Sequence, residues 1–131
     1  MTKPKFTWEL DSWGIYSPWD RQSKQLPEPR EITDTIPCIK DIEFGYILTI
    51  KKAKGKKIHF TIDHPPFKDS QGNIRPPFTG EVYVKKNSWD FFLGDTIWEP
   101  LGDKVGPWRL ITRIDDVILA DLTLKVVLGG A

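Results

Sequence analysis

The chain is poor in cysteine and histidine. Its 131 residues include one cysteine, Cys38, and two histidines. A single cysteine cannot form an internal disulfide, and two histidines are too few for a histidine-rich metal site. A chain of this length also needs neither device, because folding buries about two thirds of its unfolded surface. We therefore expect no structural metal and no disulfide.

An excess of one charge and long hydrophobic runs are also missing. Nineteen basic residues stand against eighteen acidic ones, a net charge of +1. This balance gives no global attraction to nucleic acid or to an anionic membrane. The N-terminus lacks an apolar segment of signal-peptide length, and no run approaches a membrane span. These absences predict a soluble, cytoplasmic protein with a single domain over residues 1–131 and no nucleic-acid or membrane partner.

The segment from Gly106 to Val127 carries the clearest pattern in the chain. Apolar and polar residues alternate on both sides of Asp115-Asp116. Because aspartate tolerates the positive φ of a tight turn, this pattern predicts a β-hairpin. The residues expected to face inward are Trp108, Leu110, Thr112 and Ile114 on the first strand and Ile118, Ala120, Leu122, Leu124 and Val126 on the second.

The same alternation predicts about seven strands, and no segment has helical periodicity. The expected fold is therefore all-β, an immunoglobulin-like antiparallel β-sandwich, with a small β-barrel as the alternative. Residues 17–37 lack periodicity and are punctuated by prolines, which predicts a long loop or an ordered arm lying on the sandwich. Outside the hairpin, the expected strands cover Phe6–Ile15, Glu43–Lys51, Lys57–Asp63, Glu81–Lys85 and Ser88–Leu93, with a short strand or bend at Ile97–Leu101.

Three short motifs resemble a family of small bacterial domains of unknown function, the family numbered 3859. They are Asp63-His64-Pro65-Pro66 at the end of a strand, the turn Asp69–Asn73, and Gly106-Pro107-Trp108 at the start of the final hairpin. The resemblance covers about two thirds of the chain, from about Ile42 to Val127. It implies an immunoglobulin-like topology and a non-catalytic protein, and the family brings no established catalytic residue.

Recognisable catalytic motifs are missing. The sequence contains no Gly-x-Ser-x-Gly, no phosphate-cradling glycine loop and no His-Glu-x-x-His. Cys38 has no neighbouring base, and we expect it to be a semi-buried small hydrophobic residue. Asp63, His64 and Asp69 are metal-binding types, but they are too few for a metal centre, and adjacent strand residues point to opposite faces. We therefore expect no catalytic residue, no metal and no cofactor.

Five lysines within Lys51–Lys57 form the densest charge cluster. They suit either a grip on a polyanion or a solvated hairpin tip that discourages edge-to-edge pairing. No aromatic residue is interleaved for base stacking, and the whole chain is nearly neutral. We favour the solvated tip.

The segment His64–Phe78 is the strongest candidate for a binding site. It contains Pro65-Pro66-Phe67 and, eleven residues further on, Pro76-Pro77-Phe78. Paired prolines stiffen the backbone, so each phenylalanine is presented with little loss of entropy. One interpretation is a rigid aromatic lip that docks a partner. The other, which we favour, is a staple in which both phenylalanines turn inward over an open end of the sandwich.

These observations predict a small non-catalytic protein-interaction or binding module whose partner is another protein. Recognition would fall to the His64–Phe78 loop or to the Ser17–Pro37 arm. The alternative is a carbohydrate-binding module, since amphipathic indoles near turns can stack on sugars. A hydrolase with Asp63, His64 and nearby carboxylates ranks third. The candidate sugar-stacking residues are Trp13, Trp19, Trp98 and Tyr83.

Overall fold

The computed structural model describes residues 5–20 and 25–128. Two sheets pack against each other, one with the strand order β2-β1-β4-β7 and one with the order β3-β9-β8-β5-β6. This arrangement is the predicted sandwich rather than the alternative barrel. The strands are β1 Thr7–Tyr16, β2 Pro29–Ile32, β3 Thr35–Cys38, β4 Glu43–Lys51, β5 Lys57–Asp63, β6 Phe78–Tyr83, β7 Ser88–Thr96, β8 Gly106–Ile114 and β9 Val117–Leu128, with a 3-10 helix at Gly102–Lys104.

The core forms where alternating apolar residues of the two sheets meet. The bounds of β4 and β5 are those predicted from the sequence. Phe44 of β4 meets Trp108 of β8 edge to face, with ring centroids 5.2 Å apart. The hydroxyl of Tyr46 is 2.6 Å from that of Thr112, so the two buried polar groups satisfy each other. The inward face predicted for β8 is therefore confirmed, and β4 turns Phe44, Tyr46, Leu48 and Ile50 toward it.

The final hairpin contains a β-bulge that the sequence pattern did not reveal. Asp115 takes the positive φ expected of the turn, 53°. The pairing then shifts, because Arg113 lies opposite Ile118 whereas Thr112 lies opposite Ala120. The additional residue, Leu119, is buried, and Ile118 is 51% exposed. The prediction that Ile118 faces inward was wrong because strict alternation holds only without a bulge.

A second bulge divides β1. Leu10 pairs with Leu48 but Ser12 pairs with Ile47, so the register shifts around Asp11. The alternating apolar residues before the bulge are covered unevenly. Phe6 is buried, whereas Trp8 and Leu10 are each 36% exposed.

The predicted arm contains two short strands that the sequence analysis missed. Strand β2 pairs antiparallel with β1, and β3 pairs parallel with β9, so the chain passes from one sheet to the other between them. The parallel pair corrects the prediction of a purely antiparallel sandwich. Pro29 and Pro37 are tolerated because β2 and β3 are edge strands, where a missing N–H is harmless. The count is therefore nine strands in the described residues rather than about seven.

The rest of the described arm covers the outer face of the four-stranded sheet. Trp19 and Leu26 pack on a second apolar cluster formed by Tyr16, Ile47 and Phe92. Burial raises the pKa of Tyr16 to about 12, although a hydrogen bond with Ser12 partly opposes this shift. The arm therefore lies on the sandwich, one of the two forms predicted for it.

The remaining predicted strands differ in their bounds. Strand β6 lies at Phe78–Tyr83 rather than at Glu81–Lys85, and β7 continues three residues beyond Leu93. The segment Ile97–Leu101 is a bend that leads into the 3-10 helix.

The lysine cluster occupies the turn between β4 and β5, and its side chains from Lys51 to Lys56 are exposed. We predict that changing Lys52, Lys54 and Lys56 together to glutamate moves the urea unfolding midpoint very little. The ion pair from Lys56 to Asp115 is exposed, and such pairs contribute about 1 kcal/mol or less. Tight, salt-sensitive nucleic-acid binding by the wild type that this change abolishes would instead favour the polyanion interpretation.

Candidate functional site: the loop end of the sandwich

The topology brings several connecting segments to one end of the sandwich. Strands β3, β5 and β9 end there, and β8 begins there, as their pairing registers show. We call this region the loop end, and it comprises residues 39–42, 64–77 and 97–105 with the adjoining strand ends. The predicted site residues that lie there are His64, Pro65, Pro66, Phe67, Pro76, Pro77, Phe78 and Trp98.

Phe67 lies beneath the loop end rather than on its surface. It is 3% exposed and meets Trp98 edge to face, with centroids 5.3 Å apart. The ring of His64 stacks on it at 4.1 Å, and that imidazole also lies 4.6 Å from half-buried Phe78. This geometry corresponds to the aromatic staple, and a lip with both phenylalanine rings exposed does not form.

His64 fastens both ends of the loop. Its Nδ1 lies 2.8 Å from the Pro65 carbonyl oxygen, and its Nε2 lies 2.8 Å from the Pro76 carbonyl oxygen. Both oxygens are acceptors, so a neutral imidazole donates a hydrogen bond to one of them, and only the protonated ring donates to both.

The two carboxylates proposed to act with His64, those of Asp63 and Asp69, each lie next to other groups. Asp69 Oδ1 accepts hydrogen bonds from the backbone N–H groups of Gln71 and Asn73 and so fixes the turn between them. Asp63 is exposed and lies opposite Arg109 in the neighbouring strand. In the part of the chain that the structure describes, no three His, Cys, Asp or Glu residues cluster as metal ligands would.

Lys104 is buried beneath the loop end, a role that was not predicted from the sequence. It is 1% exposed, and its Nζ donates a hydrogen bond of 2.6 Å to Asp103. The same ammonium group lies 4.6 Å from the ring centre of Phe67 and 4.5 Å from that of Trp98. Its carbonyl oxygen accepts the Trp108 indole N–H at 2.9 Å. The lysine therefore joins the staple to the core through cation–π contacts and hydrogen bonds.

The outer surface of the same loop remains available to solvent. A bridge between Lys68 and Ile74, together with a hydrogen bond from Arg75 N–H to the Phe67 carbonyl, folds residues 67–75 back on themselves. Ile74 lies in this folded-back segment and is 63% exposed. The exposed prolines of the loop are Pro66, Pro76 and Pro77.

A shallow depression of about 390 Å³ lies beside this loop. Arg109 at its edge forms a bidentate ion pair with Asp121, with N–O distances of 2.8 and 2.6 Å. The ion pair lowers the pKa of Asp121 and raises that of Arg109, mainly through the hydrogen bonds. The depression therefore combines proline and valine side chains with a fixed ion pair at its edge. It is lined by Asp63, His64, Pro65, Pro66, Val105, Pro107, Arg109 and Thr123.

The three candidate tryptophans are each half-buried and packed against other side chains. Trp13 packs on the main core, and Trp19 meets Phe92 at 5.1 Å on the outer face of the four-stranded sheet. Trp98 belongs to the staple. Tyr83 is 59% exposed, but Lys57 Nζ lies 5.1 Å above its ring. These residues lie apart and do not form a shared sugar-stacking platform.

Cys38 is buried at the end of β3, and its thiol donates to the Leu101 carbonyl oxygen at 3.2 Å. Burial raises the pKa of the thiol, which disfavours the reactive thiolate. This environment agrees with its interpretation as a small buried hydrophobic residue.

Fold and loops together define an immunoglobulin-like β-sandwich. The structure resembles the 1.50 Å crystal structure of an immunoglobulin-like protein from Pseudomonas aeruginosa, with a TM-score of 0.73 and 17% identity over 92% of this chain and 97% of that one. The chain belongs to the family described as "Domain of unknown function (DUF3859)", which matches residues 5–126. The family resemblance seen in the sequence is thus confirmed. No curated protein matches the chain, and no helix in the described residues is long and apolar enough to cross a membrane.

Proposed function

We propose that this chain is a non-catalytic protein-binding module that recognises its partner with the loop end. The observation that carries the proposal is Ile74, which is 63% exposed on a loop whose base is fixed by buried His64 and Phe67. An apolar side chain held on a stiff loop loses little entropy on binding, which favours its use as an anchor. The cytoplasmic location and single-domain organisation expected from the sequence belong to the same proposal.

Further apolar surface at the loop end supports this choice. Ile39 is 47% exposed and Leu128 is 77% exposed, and both adjoin the parallel pair of β3 and β9. The ion pair of Arg109 with Asp121 at the neighbouring depression supplies a fixed polar edge. A surface with apolar anchors and a polar, charged rim is typical of protein–protein interfaces.

We predict that Ile74→Asp abolishes partner binding without changing the fold. Partners would be captured from a lysate of the source organism, purified, and titrated against the wild type and the variant. The matched control is Ile118→Asp, because Ile118 is 51% exposed beside the turn between β8 and β9, at the opposite end of the sandwich from the 64–77 loop. Equal binding by the wild type and Ile74→Asp, or an equal loss in the Ile118→Asp control, would contradict recognition by this loop.

A further inference from the structure

Strand β1 has an unpaired edge over its first half. It pairs with β4 along its whole length, whereas β2 pairs only with Gly14, Ile15 and Tyr16 on the other side. Within residues 5–20 and 25–128, no strand pairs with this other edge from Thr7 to Ser12. A free strand edge presents N–H and C=O groups that can hydrogen-bond a strand of another chain.

The side chains along this edge leave apolar surface uncovered. Trp8 and Leu10 lie opposite buried residues of β4 and so face the sandwich interior, yet each remains 36% exposed. The free edges on the other side of the sandwich differ. Strand β7 carries none of the exposed large apolar residues, and Tyr83 at the end of β6 lies beneath a lysine. Edge pairing at β1 would therefore bury apolar surface as well as satisfy backbone groups.

We propose that this edge binds the same edge of a second copy of the chain, giving a symmetric dimer in which the two four-stranded sheets join through their β1 strands. The pairing is antiparallel, with the two-fold axis at Trp8. Thr7 then lies opposite Glu9 of the second copy, and Lys5, just before the strand, lies beside Asp11 at the β1 bulge, twice across the interface. Opposite charges that face each other across an antiparallel pair stabilise it. The sequence of this one edge therefore provides a complementary partner for itself.

The register also suits the apolar residues and the neighbouring strands. Phe6 lies opposite Leu10 of the second copy, and the two Trp8 side chains meet at the axis on the interior face. An axis one residue later would place two Glu9 carboxylates opposite each other, which is unfavourable. The paired segment also ends at Asp11, before Gly14, where β2 begins to occupy the edge.

The charge complementarity is tested by sedimentation velocity over a series of protein concentrations. We expect the wild type to dimerise, and Asp11→Lys or Lys5→Glu alone to raise the dimer dissociation constant about tenfold, because two attractive pairs become repulsive. The combined variant Lys5→Glu with Asp11→Lys should regain the wild-type value. Lys54→Glu, which makes the same change of charge at an exposed turn, serves as the control. A monomer at every concentration, or a dimer unaffected by both single changes, overturns the proposal.

The register is tested by disulfide cross-linking between two variants of the full chain. Thr7→Cys mixed with Glu9→Cys should form a mixed disulfide under mild oxidation, because these positions face each other across the interface. Neither variant alone should cross-link efficiently, nor should Thr7→Cys mixed with Asp11→Cys. The native Cys38 is buried and does not compete. If circular dichroism shows folded variants and the mixed disulfide does not form, or if the control mixture cross-links equally, the proposed dimer is wrong.

Discussion

Replacing Trp108 with alanine is expected to lower the free energy of unfolding by about 3–5 kcal/mol. The indole is fully buried, meets Phe44 edge to face, and contacts Phe67 and Trp98 of the staple. Its N–H donates to the carbonyl oxygen of Lys104. Alanine would leave a large cavity and an unpaired carbonyl, and the site cannot collapse easily because both sheets surround it.

Urea unfolding followed by circular dichroism measures this loss. Tyr83→Ala is the matched control, because it also removes a large aromatic ring but from a side chain that is 59% exposed. We expect the control to change stability by about 0.5 kcal/mol or less, as is usual at the surface. A loss below about 1 kcal/mol for Trp108→Ala would mean that this residue does not anchor the core.

The regular strands were predictable because their core-facing residues recur at every second position. In strand β4 these residues are Phe44, Tyr46, Leu48 and Ile50, and the sequence-derived bounds, Glu43 to Lys51, are those of the structure. Strands β2 and β3 have only four residues each and contain Pro29 and Pro37. Strand β2 forms by pairing with β1 across the arm, and β3 forms by pairing with β9 near the other end of the chain, so no local pattern marks either strand.

The bulges show a different limit of the sequence pattern. The shifts near Asp11 in β1 and at Leu119 in β9 each move the following side chains to the opposite face. A bulge adds one residue without changing composition, so strict alternation assigns the wrong face near it. The face of Ile118 could therefore not be read with the same reliability as that of Trp108.

At the loop end, the sequence pointed to the two phenylalanines of the staple but not to Lys104, which packs against Phe67. The paired Pro-Pro-Phe segments pointed to Phe67 and Phe78 because stiff apolar segments need cover. Lys104 gave no signal, since a lysine beside Asp103 ordinarily marks a solvated turn. Its burial arises only after folding, when Phe67 and Trp98 from separate loops enclose its ammonium group.

The staple predicts that Phe67→Ala combined with Phe78→Ala lowers the free energy of unfolding by at least about 3–5 kcal/mol, the usual cost of one buried phenylalanine. Phe67 should account for most of the loss because it is 3% exposed, whereas Phe78 is half-buried. The two effects should not add simply, because both rings contact His64. Urea unfolding of the two single variants and the double variant measures each contribution.

Ile74→Ala provides the matched control in the same loop, because it removes an apolar side chain that is 63% exposed and should leave stability almost unchanged. A double phenylalanine variant as stable as the wild type would contradict the staple, since Phe67 would then contribute nothing by its burial. A destabilised double variant that still binds the captured partner with wild-type affinity would separate the two roles of this end. The staple would hold the sandwich closed, and recognition would lie elsewhere, with the arm at Ser17–Pro37 as the next surface to test.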